Sequence, residues 1–83
     1  MASTIANRLQ RAGFKLEQMG GGTRQWVRYT GAYQTFIYAV EDGLPPRRWT
    51  APAIVATKRQ DQSTDLVEVT HPTLISALAS VED

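Results

Sequence analysis

Three prolines within nine residues constrain this 83-residue chain more than any other feature. Residues 44–52 read Leu-Pro-Pro-Arg-Arg-Trp-Thr-Ala-Pro. Proline fixes φ and removes an amide donor, so neither a helix nor a central strand can run through this segment. Regular structure has to be sought on either side of it.

On the N-terminal side, residues 4–12 predict a short helix. Ser3 or Thr4 can cap its first amides, and Ile5, Leu9 and Ala12 form one apolar stripe. Gly13 stands where a left-handed residue ends a helix, with Phe14 placed to touch Leu9 in a Schellman ending. A helix of about ten residues is marginal alone in water, so it must dock. Strands are expected over 14–19, 23–30 and 33–41, separated by Gly20-Gly21-Gly22 and by Gly31-Ala32. Alternation sets Arg24, Trp26 and Arg28 against Thr23, Gln25, Val27 and Tyr29. It likewise sets Phe36, Tyr38 and Val40 against Tyr33, Thr35, Ile37 and Ala39.

Beyond the prolines, residues 53–59 predict a strand, Gln60 to Thr64 a polar turn and 66–69 a last strand. Thr70 is expected to open a closing helix with Pro72 in its first turn and Leu74, Ile75, Leu78 and Val81 as its apolar stripe. The expected fold class is α+β: a two-layer single domain, residues 1–83, of order αβββ(ββ)α. An antiparallel sheet of 4–5 strands would carry the N- and C-terminal helices on one face. A shorter sheet, with 53–69 as a separate hairpin, is the structural alternative. Pairing of two copies through residues 33–40 or 53–59 as sheet edges would give a homodimer.

There is no cysteine, which excludes disulfides and thiolate zinc sites. A secreted domain this small would ordinarily need such staples. The first residues lack a basic start and an apolar run, and no stretch approaches the roughly 18 apolar residues of a membrane span. These features point to a cytoplasmic protein with no membrane partner.

Catalytic constellations are hard to assemble. His71 is the single histidine; a nucleophilic arrangement would have to use it with Ser76, Ser80, Ser3 or Ser63, none of which sits in a recognisable elbow. Glu41 and Asp42 would point to opposite faces of a strand. The run from Asp61 to Asp65 resembles the start of a calcium loop, but Leu66 stands at its sixth position and Pro72 at its twelfth. Gly20-Gly21-Gly22-Thr23 lacks the lysine and the following helix of a phosphate loop. No catalytic residue, metal or cofactor is therefore expected.

Charge is unevenly distributed. Residues 1–60 carry all nine bases and three acids, net +6, whereas residues 61–83 carry five acids and no base, net −5. Two aromatic–arginine clusters fall in the basic part: Arg24-Trp26-Arg28 on one strand face, and Arg47-Arg48-Trp49 on the proline loop. With Lys58 and Arg59 they are the expected partner-binding residues, because Trp and Arg anchor interfaces and can also hold bases and phosphates. The opposing reading turns Trp26 toward the helices and folds Trp49 over a core edge. The leading expectation is a non-catalytic module, a regulator, adaptor or inhibitor of the kind common in mobile elements. It would bind a larger protein, including one in a nucleic-acid-handling complex. The alternative is a nucleic-acid-binding domain using a basic–aromatic sheet face.

Leu9, Ala12-Gly13-Phe14, the glycine turn and the strand from Trp26 to Thr30 together resemble the opening of HicA-type toxins, over roughly residues 5–40. That resemblance implies an αβββα fold akin to double-stranded-RNA-binding domains. RNA cleavage does not carry over: the family's catalytic histidine follows the glycine turn, where this chain has Thr23.

Overall fold

In a computed structural model describing residues 4–61 and 66–82, the chain forms one five-stranded antiparallel sheet in the order β1-β2-β3-β4-β5, with both helices on one face. Helix α1 (Ile5–Arg11) is capped by Thr4, whose hydroxyl accepts from the Asn7 amide at 3.0 Å. It ends as the sequence predicts. Gly13 has φ 94°, the Phe14 amide donates to the Leu9 carbonyl at 2.9 Å, and the Gly13 amide to that of Gln10 at 3.0 Å. Leu9 and Phe14 are thereby buried together. Ser3, the other candidate cap, and residues 62–64 of the expected polar turn lie outside the described residues.

Strands β1 (Lys15–Gln18), β2 (Arg24–Thr30), β3 (Tyr33–Ala39), β4 (Ala53–Arg59) and β5 (Val67–His71) follow as an up-and-down meander. Residues 53–69 thus belong to the main sheet rather than to a separate hairpin. Thr30 pairs with Tyr33 around a two-residue turn in which Gly31 takes φ 57°, the backbone hand that tight hairpins require. β3 and β4 are both interior strands: residues 40–52 loop out and return so that β4 pairs with β3, and β5 pairs beyond it. This corrects the expectation that residues 33–40 or 53–59 would be sheet edges. The edges are β1 and β5.

Helix α2 (Leu74–Val81) starts later than predicted. His71 is still paired in β5, and Thr73 caps the helix by accepting from the Ser76 amide at 3.1 Å. Pro72 therefore precedes the cap instead of occupying the first turn. Its ring favours extended backbone at His71, which prolongs the strand. Leu74, Ala77 and Leu78 face the sheet with Leu9, Phe14, Trp26, Ile37, Ala53 and Val55 to make the core. Ile75, expected on that stripe, is instead exposed. No helix is long and apolar enough to cross a membrane among the described residues.

Both helices end on the same side chain. Arg28, on the helix side of β2, donates from Nη1 to the carbonyl of Ala12 at 3.0 Å and to that of Val81 at 2.8 Å. Its guanidinium lies 5.0 Å from the centre of the Phe14 ring. Beside it, Arg8 forms a bidentate pair with Glu82, at 2.7 and 3.2 Å, joining α1 directly to the end of α2. The aliphatic stem of Arg28 passes so close to Gly13 that an added Cβ would meet its Cδ at 3.2 Å.

Two stability outcomes follow from this junction. Arg28→Met keeps the stem but leaves two carbonyls without donors, and should cost about 2–3 kcal/mol, with Arg28→Lys intermediate. Gly13→Ala forces a left-handed alanine against Arg28 and should cost about 1–2 kcal/mol. Urea denaturation midpoints at unchanged m-value measure both.

Candidate interaction surface

The eight residues singled out from sequence are not brought into one patch. Arg24, Trp26 and Arg28 share a face, as alternation requires, but it is the face the helices cover. Trp26 is only 6% exposed, in the core. Arg28 is committed to the two helix ends. Trp49 is half-buried against the core, under the Arg8 guanidinium at 5.7 Å, and its carbonyl accepts from the Ile75 amide at 3.3 Å. The expected exposed indoles are thus a correction: burying the apolar area of either ring gains more than leaving it in water.

The remaining cations are largely spoken for. Arg47 pairs with Asp42 at 3.1 Å, Arg48 with Glu41 at 3.4 Å and Arg59 with Asp61 at 3.2 Å. Arg59 with Asp61 and Arg8 with Glu82 bring acids of the C-terminal part against bases of the rest of the chain. The loop at 40–52 is held in place by the pairs of Arg47 and Arg48, by buried Pro46 and by backbone bonds from Ala39 to Leu44 and from Val40 to Pro52. They enclose a shallow hollow of about 280 Å³ lined by Glu41, Asp42, Arg47 and Arg48.

On the helix side, a groove of about 340 Å³ is lined by Arg28, Thr35, Thr57, Val69, His71 and Ser80. Ser80 Oγ lies 3.5 Å from His71 Nε2, but its proton goes to the Ala77 carbonyl at 2.7 Å. Thr23, at the position that the toxin resemblance assigns to a catalytic histidine, donates to the Gly20 carbonyl at 3.4 Å. No group of three histidine or acidic side chains gathers to hold a metal among the described residues.

The face opposite the helices is a different surface. Register sets Lys15, Val27, Phe36, Ala56 and Glu68 in one row across the five strands, with Tyr29, Gln34 and Lys58 on one side and Tyr38, Ile54 and Thr70 on the other. Val27 and Ala56 are fully buried here with no helix above them. Their cover comes from long neighbours tied down in pairs. The Tyr29 hydroxyl donates to Glu17 at 2.8 Å, the Tyr38 hydroxyl donates to Glu68 at 2.7 Å, and Lys58 Nζ stands 6.0 Å from the Phe36 ring centre. Gln34 adds a bond to the Tyr29 oxygen at 3.4 Å. Three rings on β2 and β3 are thus oriented before any partner arrives. The formal charges of this face, Lys15 and Lys58 against Glu17 and Glu68, cancel. Of the predicted residues only Lys58 lies here. Alternation had already grouped Gln25, Val27 and Tyr29, and Phe36 with Tyr38, but nothing in the pattern said which face the helices would take.

Comparison with protein-family models, curated proteins and solved structures gives no match. The order of elements, one helix, five strands and one helix, departs from the αβββα order that the toxin resemblance implies.

The phenols report how firmly this face is set. Burial, then the hydrogen bond and charge of Glu68, push Tyr38 up to about 12, while the bond to Glu17 raises Tyr29. The folded chain holds the Tyr38 proton to about 12, whereas the unfolded chain releases it near 10. Stability should therefore be complete below pH 10 and fall as pH climbs from 10 toward 12. Denaturation midpoints against pH should show that loss, and Tyr38→Phe should flatten it. In ultraviolet titration, Glu68→Gln should lower the ionisation of Tyr38 without returning it to 10, since burial is the larger cause.

Proposed function

We propose that this protein is a non-catalytic interaction module that binds a larger protein through the open face of its sheet. The observation that carries this reading is the preset aromatic trio Tyr29, Phe36 and Tyr38, held by Glu17, Glu68 and Lys58 on a face of balanced charge. Rings fixed in advance lose little entropy when a partner covers them, and tyrosine is among the residues that anchor interfaces. A cysteine-free chain accords with the cytoplasm as the place of action.

A second reading has one observation in its favour: three aromatic rings on an open sheet can stack on unpaired bases. Electrostatics rank it lower. With Lys15 and Lys58 as the cations of this face, about two phosphates are neutralised, giving a log–log salt slope near −1.4 for a single strand. Two carboxylates on the same face oppose even that.

Affinity capture from nuclease-treated lysate of the source cells separates the two. Wild-type chain should retain a protein whose recovery falls about tenfold or more with Tyr29→Ala/Tyr38→Ala, since each anchor contributes about 2 kcal/mol. Trp26→Phe, in the core, should leave recovery unchanged. Equal recovery by wild type and the double variant, or recovery abolished by nuclease, would remove the proposal.

A further inference from the structure

The two edges of the sheet are built differently. β1 presents Lys15 and Glu17, and charged side chains of this kind are how natural edge strands avoid pairing with other chains. β5 presents Val67 and Val69, 62% and 50% exposed on the helix side, with Glu68 as the charge of its other side. Beyond β5 nothing in the chain covers its outer hydrogen-bonding edge among the described residues, since β4 takes only the inner one. A five-residue edge whose helix side carries two exposed valines and no carboxylate or ammonium is a template for another strand.

We propose that the protein forms a twofold dimer in which β5 pairs antiparallel with β5 of a second copy, centred on Val69. A strand edge is self-complementary under a twofold axis, so one patch serves both subunits and the contact closes. Centring on Val69 pairs all five residues: Val67 faces His71, Glu68 faces Thr70, and Val69 faces itself. No two like charges stand opposite one another. The four valines then form one apolar stripe on the helix side, covering the side chains that the monomer leaves exposed.

The helices permit this approach. α2 packs over β4 and β5, and strands are spaced about 4.8 Å apart. The twofold therefore brings the two copies of α2 to about 10 Å, the distance at which helices pack when small side chains face each other. Ser80, beside His71 on the β5 side of α2, is such a residue. Both helical layers fall on one side of a continuous ten-stranded sheet. Both open faces fall on the other, although the pairing itself stands independently of what they bind.

Light scattering on the eluting full-length chain should give a mass about twice 9.2 kDa. Val69→Lys sets two ammonium groups face to face on the axis and should weaken dimerisation about tenfold or more. Leu16→Lys, on the β1 edge, should leave the dimer intact. Hydrogen exchange supplies a test needing no variant: the β5 amides that point away from β4 should be protected in concentrated protein and exchange faster on dilution. A wild-type monomer at every concentration, a Val69→Lys dimer as tight as wild type, or concentration-independent exchange in β5 would each overturn the proposal.

Discussion

Everything above the sheet in this protein depends on Arg28. Helices of seven and eight residues are too short to persist alone, and each leaves carbonyls at its C-terminal end that need donors. One guanidinium on the second strand supplies both, at Ala12 and Val81, and places its charge where the two helix dipoles are negative. The Phe14 ring beneath it and the glycine that lets its stem pass complete the joint. An arginine that sequence alone nominates as a contact for a partner is thus the fastener of the fold. Its orphaned Nε is buried without a partner, a cost accepted because the other donors are so well placed.

Much of the architecture was legible because local rules agreed with one another. Thr4, Leu9, Gly13 and Phe14 occupy the cap, stripe, left-handed and closing positions of a short helix, and the structure uses each of them so. The limits of β4 were read to the residue, since alternation and the flanking proline and polar turn mark both ends. Pro72 misled. Proline is welcome both in a first helical turn and just ahead of a cap, and only the hydroxyl of Thr73, bonded to Ser76, decides between them.

The interaction surface was far less legible, and for a definite reason. A strand pattern divides residues into two faces but carries no sign saying which one the helices cover. Trp26 is the larger apolar group, so the core took its face, and Tyr29, Phe36 and Tyr38 were left on the other. Charge along the chain left a basic face and a mixing of the two signs equally open to the fold. The basic and acidic portions are separate along the chain, yet contacts such as Arg59 with Asp61 and Arg8 with Glu82 fold them together. Linear segregation of charge predicts a charged face only when the topology keeps the segments apart.

The order of the strands bears on how the molecule opens and closes. Each strand pairs with its predecessor in the chain, so every sheet contact closes a short loop and costs little chain entropy. The bonds to the end of α2 are exceptions, spanning 53 residues from Arg28 to Val81 and 74 from Arg8 to Glu82. Contacts of this span are slow to find, and the partly exposed Arg8–Glu82 pair is worth only about 1 kcal/mol. Thermal motion should therefore part the two ends of the chain well before it unravels the meander.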